Sequence, residues 1–348
     1  MALGTRVTTT TQDKLMPKVV DTILGSNVFA TRMLSKAQKF VGERMKFPVK
    51  YVKNTTGTSF SGFDTFSTAA TDNRVNLEFV PKFYQITCAL PLDELSANAT
   101  EEQVINLAKV ELASTAQDMA DDIGGLFYGD GTGNSSKDFL GLEAIVDDAT
   151  NAATYGTLAR ATYTTLKSTV TASSGTLTLL KMNTLYNAAS SGTQTPTAGY
   201  CSEAIYSYYS QLLTPQEQIP KTVSMMKGGS GRGLNSNAGL VGGTGYTSLH
   251  YMGFPIFADE KATSGILYFV NEDFLDWYAL PVAMTQPIKY RSVIEGNDYS
   301  DVEGLGFSWT DWIQPTNSAS VVSHIYLGGE LISSNPKRHA KLTGITGV

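Results

Sequence analysis

Histidine, cysteine and glycine-framed aspartate are the residue types here with the most chemical scope, so their spacing decides whether a reactive centre is on offer. His250, His324 and His339 each lack a Cys or a carboxylate at metal-ligand spacing, and a zinc site or a Ser-His-Asp triad would need partners from distant parts of the chain. Cys88 and Cys201 show no C-x-x-C spacing and are too few for a disulfide framework, so they read as reduced, buried thiols. In the glycine-rich stretch 225–246, Gly231-Arg232-Gly233 runs into Leu234 without a G-K-[ST] ending, which excludes a nucleotide P-loop and leaves a flexible or ligand-moulded loop. Gly129-Asp-Gly-Thr-Gly133 has the spelling of a phosphate or calcium loop, yet it follows a helix instead of opening one and lacks the spaced acids of an EF-hand. It reads as a tight turn that ends the helix, with glycines supplying positive φ. Asn54, Asn98 and Asn134 head glycosylation sequons by spelling only, because no apolar leader brings them to the right compartment. The expectation is a protein without catalysis, metal or cofactor.

Binding chemistry is better represented. Residues 1–53 hold ten Lys or Arg against three acids, a balance of +7; the whole chain carries −6, so the remainder carries −13. A basic arm on an acidic body can bind nucleic acid or the acidic body of the next copy. Arg32, Lys36 and Lys39 fall largely on the polar face of an amphipathic segment, residues 27–40. The complementary charges lie on a second helical pattern, where Glu101, Glu102, Glu111, Asp118, Asp121 and Asp122 face only Lys109. Between the two, Phe60, Phe63 and Phe66 recur every third residue in a Thr-, Ser- and Gly-rich stretch that has no other apolar periodicity. Arg32, Lys36, Lys39, the three phenylalanines, Glu111, Asp118, Asp121 and Asp122 are the candidate contacts between subunits. The aromatics Tyr206, Tyr208, Tyr209, Trp277, Tyr278, Trp309 and Trp312 lack the interleaved basic residues of a single-strand nucleic-acid platform and read as core or subunit contacts.

The elements that must position these residues follow from periodicity. Residues 47–92 alternate at both ends, with Phe47, Val49 and Tyr51 going out and Val75, Leu77, Phe79, Phe83, Gln85 and Thr87 coming back. A hairpin with arms of about a dozen residues would reach roughly 40 Å, and so long a two-stranded ribbon needs another surface to lie on. A helix opens at Asn98 or Thr100 and runs to Phe127, with Val104, Leu107, Ala108, Leu112, Thr115, Met119, Ile123 and Leu126 on one face and a glycine break at Gly124 and Gly125. Beyond Ala144 come short elements: a helix over 177–189, a strand over 201–206, a helical turn over 208–213, and neighbouring strands over 253–257 and 266–270. At 348 residues the length suits one large domain or two, and the 17% charged content is low for a soluble surface, as suits a chain covered by its neighbours. No apolar run is long enough for a membrane span, and the start of the chain has no secretory character, so assembly in a cytoplasm without membrane contact is expected.

The acidic helix followed by LFYGDGTGNSSKDFLGL, together with LGGELISSNPKRHAKLTGI from Leu327 to Ile345, resembles the spine helix, following loop and closing strand of tailed-bacteriophage major capsid proteins. The paired strands GFPIF and ILYFV also resemble that family, although Asn271-Glu272-Asp273 replaces its usual Gly-Asp. The resemblance implies an α+β, Hong Kong 97-like capsid fold. Residues 1–46 would form an N-terminal arm and 47–92 an extended hairpin loop laid across a neighbour. Residues 93–145 and 322–348 would form a peripheral domain around a spine helix at 100–127, and 146–321 a mixed α/β axial domain. It implies a shell protein of the virion that self-assembles into hexamers and pentamers. Its partners would be a separate scaffolding protein, a portal protein, a decoration protein in some relatives, and packaged DNA through non-specific contact. No fused scaffold and no N-terminal cleavage are expected. Some relatives cross-link a loop Lys to an Asn of the next subunit; Lys53 is the loop lysine nearest the tip, but no matching Asn or Glu is identified, so a shell without covalent links is expected. An encapsulin compartment is the near alternative, and a β-rich adhesin or tail protein, which has no need of so long a helix, the distant one.

Overall fold

The computed structural model describes residues 27–97, 101–213, 249–280, 286–287, 290–291, 301–302 and 306–347. The basic residues of 1–26, the glycine-rich stretch 225–246 and the Asn98 and Thr100 capping positions lie outside the described residues. So do the side chains of Glu101, Glu102, Val104, Leu107, Ala108, Lys109 and Leu112.

The chain begins with helix α1 (Val28–Ser35), strand β1 (Gln38–Lys39) and the hairpin β2 (Met45–Lys50) and β3 (Arg74–Phe79). Strand β4 (Lys82–Pro91) leads through helix α2 (Leu92–Ala97) into helix α3 (Glu101–Tyr128). At 1.5 Å per residue, α3 is about 42 Å long. A turn over 129–141 and helix α4 (Leu142–Ile145) follow, then β5 (Thr154–Tyr155), β6 (Leu158–Ala159), β7 (Thr169–Thr176), helix α5 (Leu179–Ala189), β8 (Ala198–Cys201) and helix α6 (Glu203–Leu213). The remaining strands are β9 (Leu249–Tyr251), β10 (Phe254–Ala258), β11 (Leu267–Val270), β12 (Leu275–Ala279), β13 (Gln286–Pro287), β14 (Tyr290–Arg291), β15 (Asp301–Val302), β16 (Phe307–Trp309), β17 (Ser320–Ser333) and β18 (Ala340–Gly347).

Two six-stranded sheets organise the molecule. The first runs β1-β12-β17-β16-β13 with β4 also paired to β17; the second runs β7-β18-β11-β8-β10-β9. Helix α3 packs on β4, and its buried Met119, Ile123 and Phe127 join Phe29, Phe139, Trp277, Ile325 and Leu327 in one core. Helices α5 and α6 cover the second sheet, with Met182, Leu185, Ile205 and Tyr209 packed against Phe254, Phe269 and Leu342. The chain passes between the sheets at 271–274 and again at 334–339. These two crossings are stitched together: Ser334 N donates to Phe274 O at 2.9 Å, and Asn271 N donates to His339 Nδ1 at 3.2 Å.

Several expectations are corrected. Strand β4 is not the returning arm of the hairpin; it pairs antiparallel with β17 from Lys82↔Gly329 to Pro91↔Ser320. The hairpin arms are six residues each, about 20 Å, in register from Met45↔Phe79 to Lys50↔Arg74. The sheets do not follow a division of the chain at 321: β18 enters the second sheet between β7 and β11, while β12, β13 and β16, inside the span 146–321, join the first. Residues 203–213 are one helix, and the strand before it starts earlier, at Ala198. Strands β10 and β11 are not adjacent; both flank β8.

Gly124 and Gly125 do not break α3. A Cβ on Gly124 would lie 2.3 Å from Asn27 Nδ2, which donates to Ala120 O at 2.8 Å, so this glycine lets the arm cross the helix at close range. The turn beyond behaves as its spelling suggests, with Gly131 at φ +74° and Asp130 Oδ1 accepting from Thr132 N at 2.9 Å.

Candidate assembly surfaces

The arm-side charges are placed first by α1. Phe29 seats that helix on α3, its ring 5.4 Å from Tyr128 and 4.9 Å from Tyr200. Asp259 accepts from Phe29 N and from the Tyr128 hydroxyl, each at 3.1 Å, tying arm, spine helix and second sheet together. Arg32 then points inward and forks onto Glu272, Nε to Oε1 at 2.7 Å and Nη2 to Oε2 at 2.6 Å. Lys36 Nζ reaches the same carboxylate at 3.2 Å, and the Tyr200 hydroxyl donates to it as well. Burial alone would raise the Glu272 pKa, but the Arg32 fork together with Lys36 and the Tyr200 hydroxyl outweighs burial and holds the carboxyl below its usual range. Arg32 is therefore an internal latch on the crossing at 271–274, not a contact offered to a neighbour. Lys36 is half committed to that latch, whereas Lys39 stands exposed on the edge strand β1.

The ribbon beyond the hairpin is exposed almost throughout residues 51–73. Tyr51 N donates to Asn73 O at 3.1 Å, and the hydrogen bonds further out are short-range, such as Ser61 N to Asp64 Oδ2 at 2.9 Å. Phe63 is fully exposed; Phe60 and Phe66 are 67% and 60% exposed although their rings meet edge-on at 5.1 Å. Among the described residues, these three phenylalanines form an exposed aromatic group without a core of its own.

On α3, Thr115, Met119 and Ile123 turn inward while Asp118, Asp121 and Asp122 face out and Glu111 is half-buried. Two of these acids are partly used at home. Asp121 meets Lys261 at 2.8 Å, and Asp122 accepts from the Tyr84 hydroxyl of β4. Asp118 and Glu111 have no ion pair among the described residues, leaving them the freer of the four candidates.

The buried polar groups are structural in their wiring. Asp147 accepts from the backbone N of Ala149, Asn151 and Ala152 and faces Arg160 at 3.4 Å and Lys341 at 3.6 Å. Glu330 accepts from Leu140 N at 2.6 Å beside Lys82, and burial pushes its carboxyl up to about 7. Burial likewise depresses His339 to about 3, so its neutral ring bridges Ser333 Oγ at 2.7 Å and Asn271 N. The thiols of Cys88 and Cys201 are free and raised by burial, to about 11 and about 12. Among the described residues no cluster of His, Cys, Asp and Glu could hold a metal, and no helix is long and apolar enough to cross a membrane. Glu272, Asp259 and Glu330 escaped the sequence reading. Only the acids of Asn271-Glu272-Asp273, directly after an apolar strand, carried a local signal for one of them.

No protein-family model and no curated protein sequence matches this chain. Solved structures do. The capsid asymmetric unit of cyanophage A-1(L) superposes with a TM-score of 0.63 at 13% identity, covering 92% of this chain and 93% of the other. The holo-SrpI encapsulin complex from Synechococcus elongatus PCC 7942 gives 0.53 at 13% identity over 91% and 87%, and the capsid of a native GTA particle 0.51 at 12% over 91% and 90%. The chain thus has the Hong Kong 97-like fold, over about nine-tenths of both molecules.

Proposed function

We propose that this protein is the major capsid protein of a tailed bacteriophage, building the icosahedral head around the DNA genome from hexamers and pentamers of itself. The observation that carries the reading is the ribbon 51–73, exposed phenylalanines and all, on a fold that matches shell subunits over nine-tenths of both chains. A monomer has no use for this ribbon. Burying each phenylalanine on a neighbour would contribute roughly 1.5–3 kcal/mol, repeated at every copy of the contact. The role is mechanical and needs no catalysis, and ring-forming heterologous contacts close the shell. A separate scaffolding protein, a portal protein and non-specific contact with packaged DNA complete the reading, with the virion as its location. Sedimentation of the expressed chain tests it: particles in the megadalton range support a shell, and a single species at 37.4 kDa under every assembly condition sinks it.

The likeness to the encapsulin complex favours a second reading, a protein compartment. Contents decide between them. Nuclease-protected DNA in particles from the native source supports the capsid, and a protein cargo without nucleic acid supports the compartment.

A further inference from the structure

Beside the root of the hairpin lies a half-open cleft of about 420 Å3, walled by Pro48–Lys50, by Thr165 and Leu166, and by the 334–338 turn between β17 and β18. Lys50, Lys337 and Arg338 line it, and no carboxylate does. Nearer the start of the hairpin two cations are neutralised locally, Lys46 meeting Glu78 at 3.0 Å and Arg44 meeting it at 3.4 Å, whereas Arg74, opposite Lys50 on β3, adds a further cation near the cleft. The three cations of the cleft have no ion pair among the described residues. Two polar atoms of the same walls, Thr165 Oγ1 and Arg338 Nε, are buried without any hydrogen-bond partner. Buried donors are normally satisfied, and guanidinium and ammonium groups without a carboxylate partner are the donors that grip an oxyanion.

We propose that this cleft is a socket for a carboxylate side chain of a second copy of this chain. The cleft is roomy enough to admit a side chain together with part of the segment that carries it, and outside the first 53 residues the chain carries −13, so acids are what a neighbouring copy has in excess. The socket also sits at the root of the ribbon assigned above to a neighbour, and to that extent the inference rests on the capsid reading. Lys50, Lys337 and Arg338 then find an anion only on assembly, which makes subunit contact and charge neutralisation one event.

The test uses the unassembled full chain, with citrate as the probe anion. Citrate is expected to raise the melting temperature by several degrees over sodium chloride of equal ionic strength, because it binds the folded state alone. The triple variant Lys50→Gln, Lys337→Gln, Arg338→Gln is expected to lose that excess and to form at least tenfold fewer shells while melting normally in chloride. Lys337→Gln alone, at an exposed position, is expected to lose part of both and guards against misfolding of the triple variant. Equal melting in citrate and chloride, or a citrate effect that survives the triple substitution, overturns the socket. Full shell yield from the triple variant, or a response to short duplex DNA but not to citrate, overturns the second-copy carboxylate as its occupant. Failure of the capsid reading looks different: the parent chain itself makes no shells, whereas the citrate comparison still reports on the cleft.

Discussion

Arg32 and Glu272 stand 240 residues apart in the chain, yet 2.6 Å separates their charged groups. The helical periodicity placed Arg32 on a polar face, and nothing local showed that this face would be covered. Its worth is best measured by stranding its partner. Arg32→Met leaves Glu272 buried and charged with only Lys36 and the Tyr200 hydroxyl to help, and is expected to cost about 3–5 kcal/mol in urea unfolding of the free subunit. The double substitution Arg32→Met, Glu272→Leu should recover much of that loss, since neither charge is then buried. An Arg32→Met subunit as stable as the parent would show the latch to be idle. Glu330 gives a second residue-level prediction. Its pKa rises from 4.5 to about 7 on folding, so the folded state holds a proton that the unfolded chain has lost, and stability must fall as pH climbs through that window. The drop is roughly 3 kcal/mol at full shift, and Glu330→Gln, which keeps an acceptor for Leu140 N, should remove it. Unfolding at pH 4.5, 6 and 8 checks this; parent and variant curves that stay parallel would contradict the assignment.

At the scale of elements, the long helix was legible because twenty-eight residues of consistent period outweigh local noise, and two glycines near its end were not enough to stop it. The glycines separate by substitution. Gly125→Ala meets nothing within 4 Å and should stabilise the subunit by up to ~1 kcal/mol through helix propensity, whereas Gly124→Ala drives a methyl group into Asn27 and should cost about 1–3 kcal/mol. Thermal melts of the two variants moving in the same direction would refute the arm crossing. Strand β4 was misplaced for a physical reason: alternation marks a strand with one covered face but not its partner, and β17 lies some 230 residues away. For the same reason nothing in the alternation of 340–347 shows that β18 lies between β7 and β11. Helix α6 was legible in principle, since Ile205, Tyr209 and Leu212 keep helical spacing, but aromatic and β-branched content in 201–206 favoured a strand. The ribbon was read correctly as exposed and as lacking a core. Replacing residues 55–72 by a short Gly-Ser turn should therefore leave the subunit's melting temperature within about a degree, given the small surface effects expected away from any core. Particle yield should collapse, and a monomer that unfolds instead would make the ribbon part of its own core.

At the scale of the whole molecule, one chain builds two sheets, and two of its crossings between them are bound by Asn271, Phe274, Ser334 and His339, with the arm latched onto the first of these two. That construction suits a subunit whose halves must hold a fixed relation while its edges meet different neighbours. Among the described residues the ribbon carries three exposed phenylalanines close together, and exposed charge includes acids of α3 and cations near the hairpin root. A closed shell is the arrangement in which both are used. Cryo-electron microscopy of particles formed by the expressed chain tests this most directly. The account predicts icosahedral shells in which residues 51–73 of each subunit lie across the next, with Phe63 buried in that contact. Particles whose ribbon folds back on its own subunit, or a chain that forms no closed shell under any condition, would contradict it.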